Sequence, residues 1–143
     1  ASTELMSKAW PGSQGGTYGG NAVAAAAAVA TLDVVRDEGL VENAAVQGAV
    51  LLDGLKALKE QYWAIGDARG LGLMQALEFV DENGKPDAAA AARVQQTAIS
   101  EGLLLLTCGA FGNVVRVIPA LVVTEAEIAE GVDAIARTLK RSL

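Results

Sequence analysis

The chain has 143 residues, 52% of them apolar and 20% charged, which is the balance of one folded domain and not of a disordered tail. With 11 Lys and Arg against 17 Asp and Glu the net charge is −6, which argues against nucleic acid or an anionic membrane as partner, since both reward clustered cations. Histidine is absent, so Ser-His-Asp and Cys-His catalysis and histidine metal sites are excluded within this sequence, and the one cysteine, Cys108, cannot close an internal disulfide and fits a reducing, cytoplasmic setting.

Residues 1–21 read as loop, because Trp10 to Asn21 holds five glycines and one proline. Ala22 to Glu38 reads as an alanine-rich helix closed by Gly39, and such a helix suits close packing against another subunit or domain. The apolar run Ala22 to Ala30 is too short to cross a bilayer, and the N-terminal residues carry no signal-peptide pattern. Leu40 to Gln61 is a second helix, with Val46, Val50, Leu51, Leu55 and Leu58 as its apolar stripe.

From Ile65 to Val80 the period changes to two, through Leu71, Leu73, Gln75, Leu77 and Phe79, which predicts one or two strands. Asp81 to Pro86 is a turn, and Asp87 caps a helix over Ala88 to Glu101 that Gly102 stops. Leu103 to Thr107 and Val114 to Ile118 are short strands. Thr124 and Glu127 form a capping box ahead of a helix that carries Ile128, Val132, Ile135 and Leu139 on one face. The order ααβ(β)αββα predicts an α+β fold, a small and mostly antiparallel sheet covered by helices.

Two places invite chemistry. Gly15-Gly16-Thr17-Tyr18-Gly19-Gly20-Asn21 stands directly before a helix; glycines admit an anion close to the backbone and Thr17 adds a hydroxyl, although a flexible tether would read the same way. Neither the dinucleotide Gly-x-Gly-x-x-Gly pattern nor a complete P-loop is present. Arg116 sits within Val114-Val115-Arg116-Val117-Ile118. If Val115 and Val117 face the core, its guanidinium faces the other side with Val114 and Ile118, either as a bidentate carboxylate fork or as an exposed surface arginine. Arg69 is explained as well by a salt bridge to a neighbouring acid. Cys108 reads as a buried structural thiol, and Lys56 and Lys59 as solvated side chains.

Three stretches, in this order, resemble one family. Pro11 to Asn21 resembles the glycine-rich segment of class III pyridoxal-phosphate-dependent aminotransferases, departing from it at Gln14 and Ala22, where the family usually has His and Pro. Ala68-Arg69-Gly70-Leu71-Gly72-Leu73-Met74 with Leu77-Glu78-Phe79 resembles the first strand of their C-terminal small domain. Leu105 to Arg116 resembles the closing strands of the 4-aminobutyrate branch.

The resemblance implies the C-terminal small domain of a fold-type I pyridoxal-phosphate enzyme over 62–143, connecting helices over 22–61, and in 1–21 a segment from the large-domain or dimer-interface side. It implies that Gly16 and Thr17 bind the cofactor phosphate of the partner subunit in a homodimer, and that Arg116 binds the α-carboxylate of an amino acid or of 2-oxoglutarate. It places the cofactor-bearing lysine and its aspartate upstream, so no catalytic residue is expected in this chain, which alone should not transaminate. Lys8 does not match the lysine motif. Other readings are an ornithine-type aminotransferase, a decarboxylase, epimerase or aminomutase of the same class, and a free-standing α+β binding or oligomerisation module.

Overall fold

A computed structural model describes residues 2–13 and 15–143 and divides the chain into two compact units, Ala1–Glu38 and Gly39–Leu143. Gln14, one of the motif positions, lies outside the described residues.

In the first unit the expectation of loop throughout 1–21 is corrected at α1 (Thr3–Met6), a single turn. Its cause is local: the Ser2 hydroxyl accepts from Leu5 N at 3.3 Å, and Ser7 Oγ donates to Glu4 O at 2.8 Å. The chain then runs through turns to α2 (Ala22–Asp37), where Asn21 Oδ1 accepts from Ala24 N at 2.9 Å and caps the helix. Gly39, at φ +62°, turns the chain out of α2 in a conformation that side chains bearing a Cβ rarely adopt.

The second unit comprises α3 (Leu40–Gln61), β1 (Ile65–Leu71), β2 (Met74–Phe79), α4 (Ala88–Ser100), β3 (Leu106–Cys108), β4 (Val114–Val117) and α5 (Glu125–Ser142). The strands form one antiparallel sheet in the order β1-β2-β4-β3. It is the α+β arrangement that the sequence predicts. Helices α3 and α4 pack on the sheet and α5 packs on both, so Leu55, Leu77, Phe79, Val94, Val115 and Leu139 belong to one core.

The Ile65–Val80 segment is a hairpin whose two-residue turn is Gly72-Leu73, with Gly72 supplying the positive φ the turn needs. The alternation therefore holds for Leu73, Gln75, Leu77 and Phe79, all buried, but not for Leu71, which lies before the turn and is 88% exposed. The stripe of α3 is likewise corrected: Leu40, Gly48, Leu51, Leu55 and Leu58 are buried, while Val46 and Val50 project from the exposed side. A helix advances about 100° per residue, and Val46 falls nearly opposite Gly48.

Gly48 is where α3 meets the hairpin, for a Cβ there would fall on the backbone of Gly72. Buried Gln75 braces this contact, its Nε2 donating to Gly72 O at 2.5 Å. Strand β3 begins later than expected, because Leu103 N donates to Ala98 O at 2.9 Å and so completes the end of α4 instead of joining the sheet. Asp87 caps α4 and the Thr124–Glu127 box opens α5, as their spacing predicts.

Candidate functional site

Strand β4 has only four residues, and their alternation sorts them cleanly. Val115 is buried against the helices, opposite Leu77, and Arg116 emerges on the other face, opposite Ala76 on β2 and Leu106 on β3. Since Ala76 also pairs with Arg69, one row across the sheet reads Arg69, Ala76, Arg116, Leu106. Leu106, Met74 and Ile118 are exposed around it. Val114 shares the face of Arg116 but is buried beside the Gly109 turn.

The two arginines of this row differ electrostatically. Arg69 Nη1 lies 2.8 Å from Asp67 Oδ2 and 2.6 Å from Glu78 Oε2. The hydrogen bond from Arg69 holds the Asp67 carboxyl below its ordinary value, and Asp67, followed by Glu78, raises the guanidinium of Arg69 in turn. Arg69 is thus neutralised by neighbouring acids, as the sequence suggests. Arg116 is exposed and, among the described residues, has no acidic partner. A guanidinium on a strand, bordered by apolar side chains and with its donor fork free, is suited to bidentate binding of a carboxylate.

Gly16 and Thr17 belong to the first unit, in the turns before α2. Gly19 N donates to Gly16 O at 3.0 Å and Asn21 N to Tyr18 O at 3.1 Å, which presents Thr17 at an exposed corner. Among the described residues nothing stands within 4 Å of where a Cβ of Gly16 would be, and neither the Thr17 hydroxyl nor the Thr17 N–H has a partner. An open backbone cradle with a hydroxyl donor beside it fits a phosphate oxygen. The helix start contributes less than expected, because Asn21 already takes the Ala24 N–H.

The remaining candidates carry no comparable geometry. Cys108 is half-buried at the end of β3. Lys8 and Lys56 are exposed, and Lys59 Nζ lies 3.7 Å from Asp67 Oδ1. Among the described residues no His/Cys/Asp/Glu group could hold a metal ion, and no helix is long and apolar enough to cross a membrane. An apolar groove of about 560 Å³ between α3 and the β1–β2 turn contains none of the predicted site residues. Asn113, to which the sequence reading gives no role of its own, is buried with its carboxamide turned onto β2. Its signals in the sequence are a lone polar residue at the entrance to an apolar strand and its place three residues before Arg116.

Comparison with known proteins places this chain in a family. The profile of the class III aminotransferases matches residues 1–139. The 4-aminobutyrate aminotransferase GabT of Escherichia coli strain K12 is 40% identical over 136 residues, covering 94% of this chain and 32% of that enzyme. An alanine/serine racemase of Pyrococcus horikoshii is 40% identical over 127 residues, covering 89% of this chain and 27% of the racemase. Among solved structures, an amine transaminase from an uncultivated Pseudomonas species, in its PLP-bound form, superposes with a TM-score of 0.82 at 37% identity, over 92% of this chain and 30% of that one. The chain spans roughly a third of the length of the curated relatives it matches. With its antiparallel small sheet, its open arginine-bearing face and these likenesses, the chain belongs to the class III aminotransferases.

Proposed function

We propose that this chain forms the C-terminal third of a transaminase of the 4-aminobutyrate:2-oxoglutarate type, a cytoplasmic homodimer that uses pyridoxal phosphate. The observation that carries the reading is the contrast on the open sheet face: Arg69 is held by two carboxylates, while Arg116, one position across Ala76, is left free. Arg116 binds the α-carboxylate of the amino donor or of 2-oxoglutarate and fixes its orientation, which converts binding energy into alignment of the reacting carbon. Gly16 and Thr17 hold phosphate oxygens of the cofactor bound by the partner subunit, through backbone and hydroxyl donors.

When bound, pyridoxal phosphate supplies the electron sink for amino-group transfer. The lysine that carries it belongs, on this reading, to the part of the enzyme upstream of these residues. Replacing Arg116 with Ala in the complete enzyme should raise KM for 2-oxoglutarate and glutamate by about 10- to 100-fold, the worth of one charged hydrogen-bonded pair, with cofactor affinity unchanged. Thr17→Ala should do the reverse, weakening the cofactor and sparing KM. Unaltered KM values in Arg116→Ala would remove Arg116 from the site.

A second reading is favoured by the racemase likeness: the same third of a class III enzyme accompanies a reaction other than transamination. It is separated from the first by whether the complete enzyme produces glutamate from 2-oxoglutarate and 4-aminobutyrate, or instead inverts an amino acid without consuming a keto acid.

A further inference from the structure

Asn113 is 2% exposed, immediately before β4. Its backbone carbonyl accepts from Phe79 N at 2.8 Å, and its side-chain Nδ2 donates to Phe79 O at 2.9 Å. Residues 79 and 113 therefore exchange two hydrogen bonds as a ladder pair does, with the carboxamide in the place of the main-chain N–H. The same Nδ2 stands 3.5 Å from Glu78 Oε1, on the carboxylate that pairs with Arg69.

We propose that Asn113 is a positioning residue for Arg116: it sets the absolute register of β4 on β2 and holds Glu78 on Arg69, so that Arg116 stays free for a carboxylate. The inference rests on the reading of Arg116 given above. Burial of Val115 against Leu77 decides only which face Arg116 takes, because a one-residue slip would turn Val115 out of the core. A two-residue slip that brings Arg116 opposite Glu78 is not forbidden in this way, since Val117 then takes the place of Val115 against Leu77, whereas the slip that brings it opposite Met74 would set residue 113 there. Either slip would move Arg116 by about 7 Å. Opposite Glu78 the guanidinium would be neutralised as Arg69 is. Asn113 fits only one register, because its carboxamide must meet the carbonyl of Phe79, 34 residues away in the chain.

The register can be read in this chain by NMR and its consequence by kinetics in the complete enzyme. The pairing places Ala76 and Arg116 at a position without mutual hydrogen bonds, where the Hα protons approach closely and give a strong cross-strand contact. Asn113→Ala should weaken that contact and bring up contacts from Arg116 to Glu78 or Met74, with the methyl signals of Leu55 and Ile135 unchanged. In the enzyme it should raise KM for 2-oxoglutarate by about tenfold and leave kcat within about threefold. Combined with Arg116→Ala, it should add less than about twofold to the KM of Arg116→Ala alone.

If Asn113→Ala fails to fold, Asn113→Asp, which keeps the shape and removes the donor, carries the same predictions. An unchanged Ala76–Arg116 contact, additive effects on KM, or failure of both variants to fold would overturn the positioning role. If Arg116→Ala itself leaves KM unchanged, the carboxylate reading falls, and the NMR contact still decides whether Asn113 sets the register.

Discussion

The two units of this chain are ordered by different forces. Between Gly39 and Leu143 three helices and a sheet bury a continuous core, and the hydrogen bonds that end each element sit on top of that burial. Up to Glu38 no described residue is buried, and the order of the segment is made of turns, two caps and the high helix propensity of alanine. A 16-residue helix held in this way is marginal by itself, and its Val23, Val29 and Leu32 are exposed. One candidate site lies in each unit, and the comparison predicts how each responds to change.

The largest effect belongs to the core. Phe79→Ala should cost about 3–5 kcal/mol in urea unfolding, enough to unfold most domains of this size, whereas Leu32→Ala on α2 should change the same transition by less than about 0.5 kcal/mol. Equal costs would mean that α2 is part of the cooperative core and would break the comparison.

Next come two glycine substitutions inside helices of the second unit. Gly48→Ala drives a methyl group into the backbone of Gly72 and should cost about 1–3 kcal/mol, while Gly131→Ala on α5, with nothing within 4 Å, should gain about 0.5–1 kcal/mol from reduced chain entropy. A Gly48→Ala protein as stable as the parent would show that α3 can retreat from the hairpin.

Caps sharpen the contrast at about 1 kcal/mol. Thr124→Ala removes the capping box of α5 and should shift the whole unfolding transition by about that amount. Asn21→Ala should instead lower only the Cα chemical-shift helicity of α2, with the midpoint unmoved. A midpoint shift in Asn21→Ala would again tie α2 to the core.

The smallest effect is one of pH. Arg137, followed by Arg141, holds the Glu101 carboxyl below its ordinary value of 4.5. A depressed carboxyl contributes stability above that ordinary value and loses it as pH falls through the lowered folded one. The acid side of the Tm profile should therefore flatten slightly in Glu101→Gln. Because the arginines are exposed, the difference should shrink in about 1 M salt, where screening acts within a few ångströms. A difference indifferent to salt would point to a cause other than these pairs.

Much of the architecture is local physics and was legible in the residues. Gly39, Asp87, Gly102 and the Thr124–Glu127 box each act within four positions of themselves, and the helix ends they predict fall within a residue of those observed. The side of the sheet on which Arg116 emerges was legible too, because alternation with Val115 has a period of two. The glycine-rich segment and the two arginines could be singled out for the same reason: glycine and arginine among apolar neighbours are conspicuous in composition alone.

What the sequence determined by itself is thus the main elements, most of their caps and the face that Arg116 takes, since these depend on neighbours a few residues apart. Only the tertiary structure decided that β4 lies beside β2, that Glu78 attends Arg69 and leaves Arg116 free, and that Asn113 reaches Phe79. These contacts join residues 9 to 42 positions apart, and their energies arise only once the chain has closed the loops between them. No short-range pattern of residues can encode which of several similar valine-rich registers will be chosen.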